Sequence, residues 1–239
     1  IKNVIAWQPT EVILLPLYPQ FSTTTSGSSF LSWKEAAKKN KYKVKTKIVC
    51  CYPEDENFIL AHTKNIQNTL NKIKTNKKQK TKLLFSAHGL PEKIIKKGDP
   101  YQNQIEKTVN KILKNMNNKE FSHTICYQSK VGPLKWIGPS TEDEIIKSSK
   151  DKDTIVLIPI AFVSEHSETL VELDIEYKEV AILNGCENYY RVPALGISKD
   201  FINGLYKLII KQKNNSILNE KIFKSKFKEC FYETFWENK

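Results

Sequence analysis

The chain has 239 residues, 40% of them hydrophobic and 10% aromatic, which allows a sizeable folded core and excludes a disordered chain. The net charge of +12 at pH 7 admits anionic partners, but the lysines are dense only over 72–82 and 207–228, so we expect a solvated basic surface and no nucleic-acid partner. No apolar run approaches the roughly 20 residues that a membrane-spanning helix needs.

The predicted elements alternate strands with helices along the chain. The expected strands are 11–17, 44–51, 82–85, 121–127, 154–162 and 180–183. The expected helices are 30–40, 58–74, 102–115, 141–150, 164–177 and 200–213. Strands separated by helices are typical of βαβ units, so the sequence predicts an α/β fold with parallel sheets. Because no G-x-G-x-x-G spacing follows a strand, a nucleotide site is not expected.

The five cysteines argue for a reduced compartment. Their number is odd and no C-x-x-C pair occurs, which disfavours a disulfide framework and a structural zinc site. We therefore expect a cytoplasmic protein.

A histidine lies where the third predicted strand meets a turn. In "LLFSAHGLP", His88 follows an apolar run and two small residues, and it precedes Gly89 and Pro91. Open α/β sheets expose side chains to ligands at this end of their strands. A hydrogen-bonded turn histidine without a function is the competing interpretation, and the stretch alone does not decide between them.

A second histidine, His166, follows the strand of 154–162 in the same way. Ser164 is placed to cap the next helix, and Leu170, Leu173 and Tyr177 form an apolar stripe on it.

Glutamates recur on that predicted helix at steps of three and four, which places them on one face. They are Glu165, Glu168, Glu172, Glu176 and Glu179. The pattern has two interpretations: a solvated acidic face, or a column of carboxylates that conducts a divalent cation.

Five segments, taken in order, resemble the ferrochelatase family, whose members insert ferrous iron into protoporphyrin to make protohaem. The segments are "LPLYPQFSTTTSGSS", "LLFSAHGLPEKIIKKGDPY", "CYQSKVGPLKWIGPSTEDEI", "FVSEHSETLVELDIEY" and "YYRVPALG". Together they cover most of the chain from residue 11 to residue 201, which makes the resemblance specific.

The resemblance implies two Rossmann-like lobes with a porphyrin cleft between them. Residues 1–47 would be the remainder of an incomplete first lobe, 48–189 the second lobe, and 190–239 a C-terminal segment whose helix returns to the first lobe. The family begins with further elements before this point, so residues 1–239 alone are expected to be marginally stable and nearly inactive.

The resemblance also implies site residues. His88 and Glu168 would be catalytic and face each other across the cleft, and both would bind the metal, with Glu172 and Glu176 as an outer metal path. The implied porphyrin-binding residues are Tyr18, Ser86, Trp136, Ser164 and His166. A neutral imidazole can accept a pyrrole proton near neutral pH, and imidazole with carboxylate suits ferrous iron.

The expected partners are a porphyrin and ferrous iron, with peripheral contact at the inner membrane surface. Iron is a substrate here, so no prosthetic group is expected. Some family members hold an iron–sulfur cluster with clustered C-terminal cysteines, but only Cys230 lies near this C-terminus, so no cluster is expected. The alternatives are a chelatase for coproporphyrin or sirohydrochlorin, and an inactive porphyrin- or haem-binding module.

Overall fold

The computed structural model of the chain describes residues 1–73, 80–116 and 121–214. The strands in this part are β1 (Glu11–Leu14), β2 (Lys45–Ile48), β3 (Thr81–His88), β4 (Ser122–Gln128), β5 (Thr154–Pro159) and β6 (Tyr189–Arg191). The α-helices are α1 (Lys2–Trp7), α2 (Ser28–Lys39), α3 (Glu56–Leu70), α4 (Glu92–Lys96), α5 (Tyr101–Met116), α6 (Thr141–Lys150), α7 (Tyr177–Leu183) and α8 (Lys199–Asn214). Two π-helical segments, Thr23–Gly27 and Glu168–Glu176, run directly into α2 and α7.

The strands form two parallel sheets. β1 and β2 pair with each other, and a second sheet has the order β4-β3-β5-β6. In the second sheet His88 lies opposite Gln128, and Ser86 lies between Cys126 and Pro159. The predicted α/β fold with parallel sheets is confirmed.

The central strands β3 and β5 are covered on both faces, as parallel strands usually are. Leu83 and Phe85 are fully buried in one core cluster, which includes residues of α3 and α5. Leu84 is fully buried in another cluster, which includes residues of α6 and α7. Alternate side chains of β3 therefore pack against helices on opposite faces of the sheet. This packing holds β3 in place, and with it His88 at the end of the strand.

The last described helix, α8, packs along α3 and also contacts β1 and β2. The contact with α3 is close at Gly204, where a Cβ atom would lie 2.9 Å from Asp55 Oδ1. At the far end of α8, Lys47 Nζ donates to the Lys213 carbonyl oxygen at 2.8 Å and pairs with Glu11 at 3.0 Å. Helix α8 thus links the two-stranded sheet to the part of the protein built around the four-stranded sheet, which we call the larger lobe.

One predicted strand is wrong: residues 180–183 belong to helix α7, and the strand that follows is β6. A four-residue apolar run fits a buried helical turn as well as a strand, and Ala181 packs in the core from the helix. The predicted helix of 164–177 begins only at Glu168, after Ser167, so Ser164 does not cap it. Leu170 is exposed, whereas the other two members of the predicted apolar stripe, Leu173 and Tyr177, are buried.

Strand ends also differ from the sequence prediction. β1 ends at Leu14, two residues before Pro16, and β5 ends at Pro159; proline has no N–H for a strand ladder. β3 is longer than predicted and includes His88 as its last residue. Helix α1 was not predicted.

Some sequence predictions fall outside the described residues. They are those on Cys230, on the C-terminal segment beyond residue 214, and on parts of both lysine-rich stretches. Within the described part, no helix combines the length and the apolarity needed to cross a membrane.

Candidate active site

The carboxyl end of β3 and the start of the second π-helical segment bring the two predicted catalytic side chains together. His88 Nε2 and Glu168 Oε1 are 3.9 Å apart, and the side chains are 39% and 38% exposed. Both side chains are therefore accessible to a ligand, and they are close enough for the carboxylate to stabilise a protonated imidazole electrostatically.

The tautomer of His88 follows from its second ring nitrogen. Nδ1 lies 2.7 Å from the Gly89 carbonyl oxygen. Because a carbonyl oxygen can only accept, Nδ1 carries the hydrogen, and in the neutral ring the lone pair is on Nε2. The acceptor nitrogen is thus the one that faces Glu168.

A cleft of about 360 Å³ opens beside this pair. One wall comes from the segment after β1, which includes Tyr18, and the opposite wall from the larger lobe. The lining residues are Tyr18, Gln20, Ser22, Thr24, Thr25, His88, Leu90, Tyr101, Ala161, Phe162 and Glu168. The predicted position of Tyr18 at the cleft is therefore observed, and its side chain is 49% exposed.

A second cavity of about 490 Å³ adjoins the first. The two share Tyr18, Ala161, Phe162 and Glu168 as lining residues, so they form one continuous depression. Ser164 and His166, which the sequence placed at the site, line this second part.

His166 is held in place by its own neighbours. Its Nδ1 accepts a hydrogen bond from the Glu168 backbone N–H at 3.2 Å, and its ring lies 4.9 Å from that of Phe162. Since Nδ1 accepts, the proton of the neutral ring is on Nε2. His166 therefore supports the backbone of Glu168 as well as forming part of the wall.

The cleft walls are fastened to each other by Asp99, which is 6% exposed and lies just before α5. Asp99 Oδ2 accepts from Ser22 Oγ at 3.0 Å and from Thr23 N and Thr23 Oγ1, both at 2.7 Å. Asp99 Oδ1 accepts from Tyr101 N at 3.0 Å. One carboxylate thereby holds the segment after β1 against the larger lobe.

Ser86, a predicted porphyrin-binding residue, is not among the residues that line the two parts of the cleft. Its side chain is fully buried, and its hydroxyl lies 2.8 Å from Gln128 Oε1 and 2.8 Å from Thr141 Oγ1. Ser86 and His88 are two positions apart on β3, so their side chains point to the same face of the sheet. Ser86, however, lies two residues before the carboxyl end of the strand, where His88 lies. Its contribution is to the interior beneath the site.

Trp136 lies beside His88, with ring centroids 6.5 Å apart, and its Nε1 donates to the Val131 carbonyl oxygen. It is not among the residues that line the two parts of the cleft. Close packing explains its position, since a Cβ atom on Gly89 would be 3.1 Å from the Trp136 ring. Trp136 therefore flanks His88, the predicted catalytic histidine.

The Glu172 carboxylate, a predicted outer metal ligand, is hydrogen-bonded to residues at the end of β4 and in α7. Its carboxylate accepts hydrogen bonds from Gln128 Nε2 (2.9 Å), Ser129 N (2.9 Å), Ser129 Oγ (2.7 Å) and the Tyr177 hydroxyl (2.9 Å). Burial, and then the nearby Glu172 carboxylate, raise the pKa of Tyr177, so its hydroxyl stays a donor. Glu172 fastens the π-helical segment to the end of β4.

Glu176 is exposed, as is Glu179. Within the described part of the chain, no group of three or more His, Cys, Asp or Glu side chains is arranged to hold a metal ion. Of the four predicted metal ligands, the structure brings His88 and Glu168 together, while Glu172 contacts the end of β4 and Glu176 is exposed; their metal binding stays a prediction.

Sequence reasoning missed three residues that shape the site: Asp99, Gln128 and Arg191. Each lies in a segment that carried the family resemblance. Asp99 precedes a proline and a helix, a setting in which a carboxylate often caps the helix, and this signal was available. For Gln128 and Arg191 the partners are distant in sequence, and no local pattern indicates them.

The family model named Ferrochelatase matches residues 1–213. The chain is 58% identical over 236 residues to a ferrochelatase from Pelagibacter ubique, which covers 96% of this chain and 67% of that protein. It is 46% identical over 238 residues to a ferrochelatase from Rickettsia bellii, covering 96% of this chain and 64% of that protein. The chain thus spans about two thirds of the length of these relatives.

Solved structures of similar fold include SirB from Bacillus subtilis with Fe³⁺, with a TM-score of 0.63 and 12% identity over 90% of this chain and 76% of that one. CbiX, described as the terminal enzyme for the biosynthesis of sirohaem, has a TM-score of 0.52 and 12% identity over 84% of this chain and 76% of that one. At this identity the likeness concerns the fold alone.

Proposed function

The chain belongs to the ferrochelatase family, and from this premise we propose that the protein inserts Fe²⁺ into a porphyrin, with protoporphyrin IX as substrate and protohaem as product. The observation that carries the proposal is the His88–Glu168 pair, 3.9 Å apart on the wall of the cleft.

Metal insertion requires the loss of two pyrrole N–H protons. His88 is suited to accept them one at a time, because Nδ1 is committed to the Gly89 carbonyl and Nε2 presents its lone pair toward Glu168. A neutral imidazole is a competent general base near neutral pH.

Glu168 has two roles in this proposal. Its carboxylate stabilises the imidazolium that forms when His88 takes a proton. It also offers an oxygen to Fe²⁺ as water leaves the ion, and a carboxylate paired with an imidazole holds ferrous iron without excluding its release.

The walls supply the remaining requirement, which is to bend the porphyrin so that its nitrogen lone pairs become accessible. Tyr18, Leu90 and Phe162 give the cleft that contains the pair aromatic and aliphatic surface. Distortion of a bound substrate typically draws about 1–5 kcal/mol from such remote contacts. Each part of the depression has a volume within the range of about 300–1,000 Å³ found for ligand pockets.

Other expectations stay predictions. These are the cytoplasmic location, the peripheral contact with a membrane surface, and the absence of an iron–sulfur cluster, for which Cys230 lies outside the described residues.

The test is anaerobic insertion of Fe²⁺ into protoporphyrin IX by the full-length protein, followed by porphyrin fluorescence. His88→Ala should lower kcat by about 10²–10⁴-fold, the contribution typical of a general base. Porphyrin affinity, measured by fluorescence titration without metal, should change only a few-fold.

The matched control is His123→Ala. His123 is exposed and lies near the amino end of β4. His88 lies opposite Gln128, at the carboxyl end of β4, so His123 is at the other end of the strand from the site. Its replacement should leave kcat unchanged. A His88→Ala protein within a few-fold of wild type would remove His88 from the mechanism, and a wild type that binds porphyrin without inserting iron would support the binding-module alternative.

A further inference from the structure

Arg191, the last residue of β6, makes a three-point contact near the candidate active site. Its Nε and Nη2 atoms donate to the two carboxylate oxygens of Asp174, at 2.7 Å and 2.6 Å. Its Nη1 donates to Glu165 Oε1 at 2.6 Å. The Arg191 side chain is 12% exposed, and the two carboxylates are about one third exposed.

The two carboxylates lie on either side of Glu168 along the chain. Glu165 belongs to the loop that leads into the second π-helical segment, and its Oε1 also accepts from Ala194 N at 2.9 Å. Asp174 belongs to the π-helical segment itself. A single guanidinium therefore fixes the backbone both before and after Glu168.

This contact is stronger than an ordinary surface ion pair. Two parallel N–H···O bonds between a guanidinium and one carboxylate are charge-assisted and geometrically specific. The hydrogen bond to Asp174 raises the pKa of Arg191 above its usual value. For Glu165, burial raises the pKa, but hydrogen bonds from Thr169, Arg191 and Ala194 outweigh it and leave the pKa below its ordinary value.

Glu168 depends on such support, because the direct contact with His88 does not hold it. The 3.9 Å between His88 Nε2 and Glu168 Oε1 exceeds hydrogen-bonding distance. The position of the Glu168 carboxylate is then set by the backbone that carries it.

We propose that Arg191 is a positioning residue, which by bridging Glu165 and Asp174 holds Glu168 toward His88 in the cleft. The inference rests on the proposed iron insertion, in which Glu168 acts with His88. It differs from a general stabilising role because it predicts that Arg191 acts on turnover through Glu168.

The test compares Arg191→Gln, Arg191→Lys, Glu168→Gln and the double variant Arg191→Gln/Glu168→Gln in the full-length protein. Arg191→Gln should lower kcat for iron insertion roughly 100-fold, the loss expected when a reacting group moves by about 1 Å. The KM for porphyrin should change little. Arg191→Lys keeps the charge but not the fork and should lie between wild type and Arg191→Gln.

The double variant separates positioning from general stability. Once Glu168 is replaced, Arg191→Gln should lower kcat by less than about three-fold further, because residues that act through one group are not additive. The matched control is Lys64→Gln, which breaks the 2.7 Å Lys64–Asp200 pair between α3 and α8 and should leave kcat within about two-fold. Additive losses in the double variant, or an Arg191→Gln kcat within three-fold of wild type, would overturn the inference.

A readout without turnover distinguishes failure of this inference from failure of the proposed function. Amide hydrogen exchange over residues 165–177 should rise in Arg191→Gln and stay unchanged in α3. A wild type without iron insertion would count against the proposed function only. Unchanged exchange over 165–177 would overturn the role of Arg191, whatever the activity of the protein.

Discussion

His62 should make the stability of this protein fall as the pH is lowered. The side chain lies in α3, is 1% exposed and packs edge-on against Phe58, with ring centroids 4.8 Å apart. Among the described residues neither ring nitrogen has a hydrogen-bond partner. Burial lowers the pKa of the His62 imidazole to about 3.

The sign and size of the effect follow from proton linkage. The folded pKa lies below the unfolded value of about 6.5, so below pH 6.5 the unfolded chain binds a proton that the folded protein does not. Each pH unit between the two values then costs about 1.4 kcal/mol of unfolding free energy. From pH 7.5 to pH 5 the loss from His62 is about 2 kcal/mol, which is roughly 1 M in urea midpoint for a small protein.

The substitution His62→Leu should abolish this loss, since leucine fills a similar volume and has no proton to bind. Urea unfolding of wild type and variant at pH 7.5 and pH 5 measures it, and all other titrating groups cancel in the comparison. His123→Asn is the control. Burial of part of its side chain, and then the nearby Lys82, lower the pKa of His123, but the residue as a whole is exposed. Its replacement should therefore change the pH dependence of the unfolding free energy less than His62→Leu does. If wild type and His62→Leu lose equal stability between the two pH values, the linkage argument is wrong.

Two further predictions concern the walls of the site. Glu172→Gln should destabilise the protein by roughly 1–3 kcal/mol in thermal or urea unfolding, because an amide cannot accept the four hydrogen bonds that this carboxylate receives. Glu176→Gln, at an exposed position, should stay within about 0.5 kcal/mol of wild type; equal stability of the two variants would contradict the anchoring role of Glu172. Asp99→Asn should weaken porphyrin binding in a fluorescence titration more than it changes kcat, because it loosens the segment after β1, and an unchanged Kd would show that the Asp99 contacts do not set the cleft.

The sequence predicted the alternation of strands and helices because buried parallel strands leave a simple mark, a short apolar run between amphipathic stretches. It also predicted where His88 lies, since a strand that runs into Gly89 and Pro91 has to end there. These features are local in sequence, and short-range patterns are sufficient to indicate them.

The parts that were missed depend on distant partners. Residues 180–183 have the composition of a strand but complete a helix that packs on the sheet, so tertiary packing overrides the local pattern. The family resemblance, and no local pattern, assigned Ser86 to the porphyrin and Glu172 to the metal path. Their hydrogen-bond partners, Gln128 and Ser129, lie on or next to another strand, and nothing within a few residues of either announces them.

The predicted metal path runs along a column of glutamates, and the structure gives some of these glutamates protein partners. Like charges on one helix face repel, and the sequence offered no interleaved lysine to relieve them. In the structure two members of the column have partners on other elements: Glu165 accepts from Arg191, and Glu172 accepts from the end of β4. Glu176 and Glu179 are exposed to solvent.

Glu168 differs from its acidic neighbours in its contacts. Glu165 and Asp174 are bonded to Arg191, and Glu172 is bonded to the end of β4. The Glu168 carboxylate instead lies beside His88 and lines both parts of the cleft. The partners of these carboxylates lie at the ends of β4 and β6. The segment is therefore held against the same sheet that positions His88 at the end of β3. In the proposed mechanism, a base and a carboxylate carried on separate elements are held near each other by Arg191 and the end of β4, and such preorganisation favours proton transfer and metal exchange.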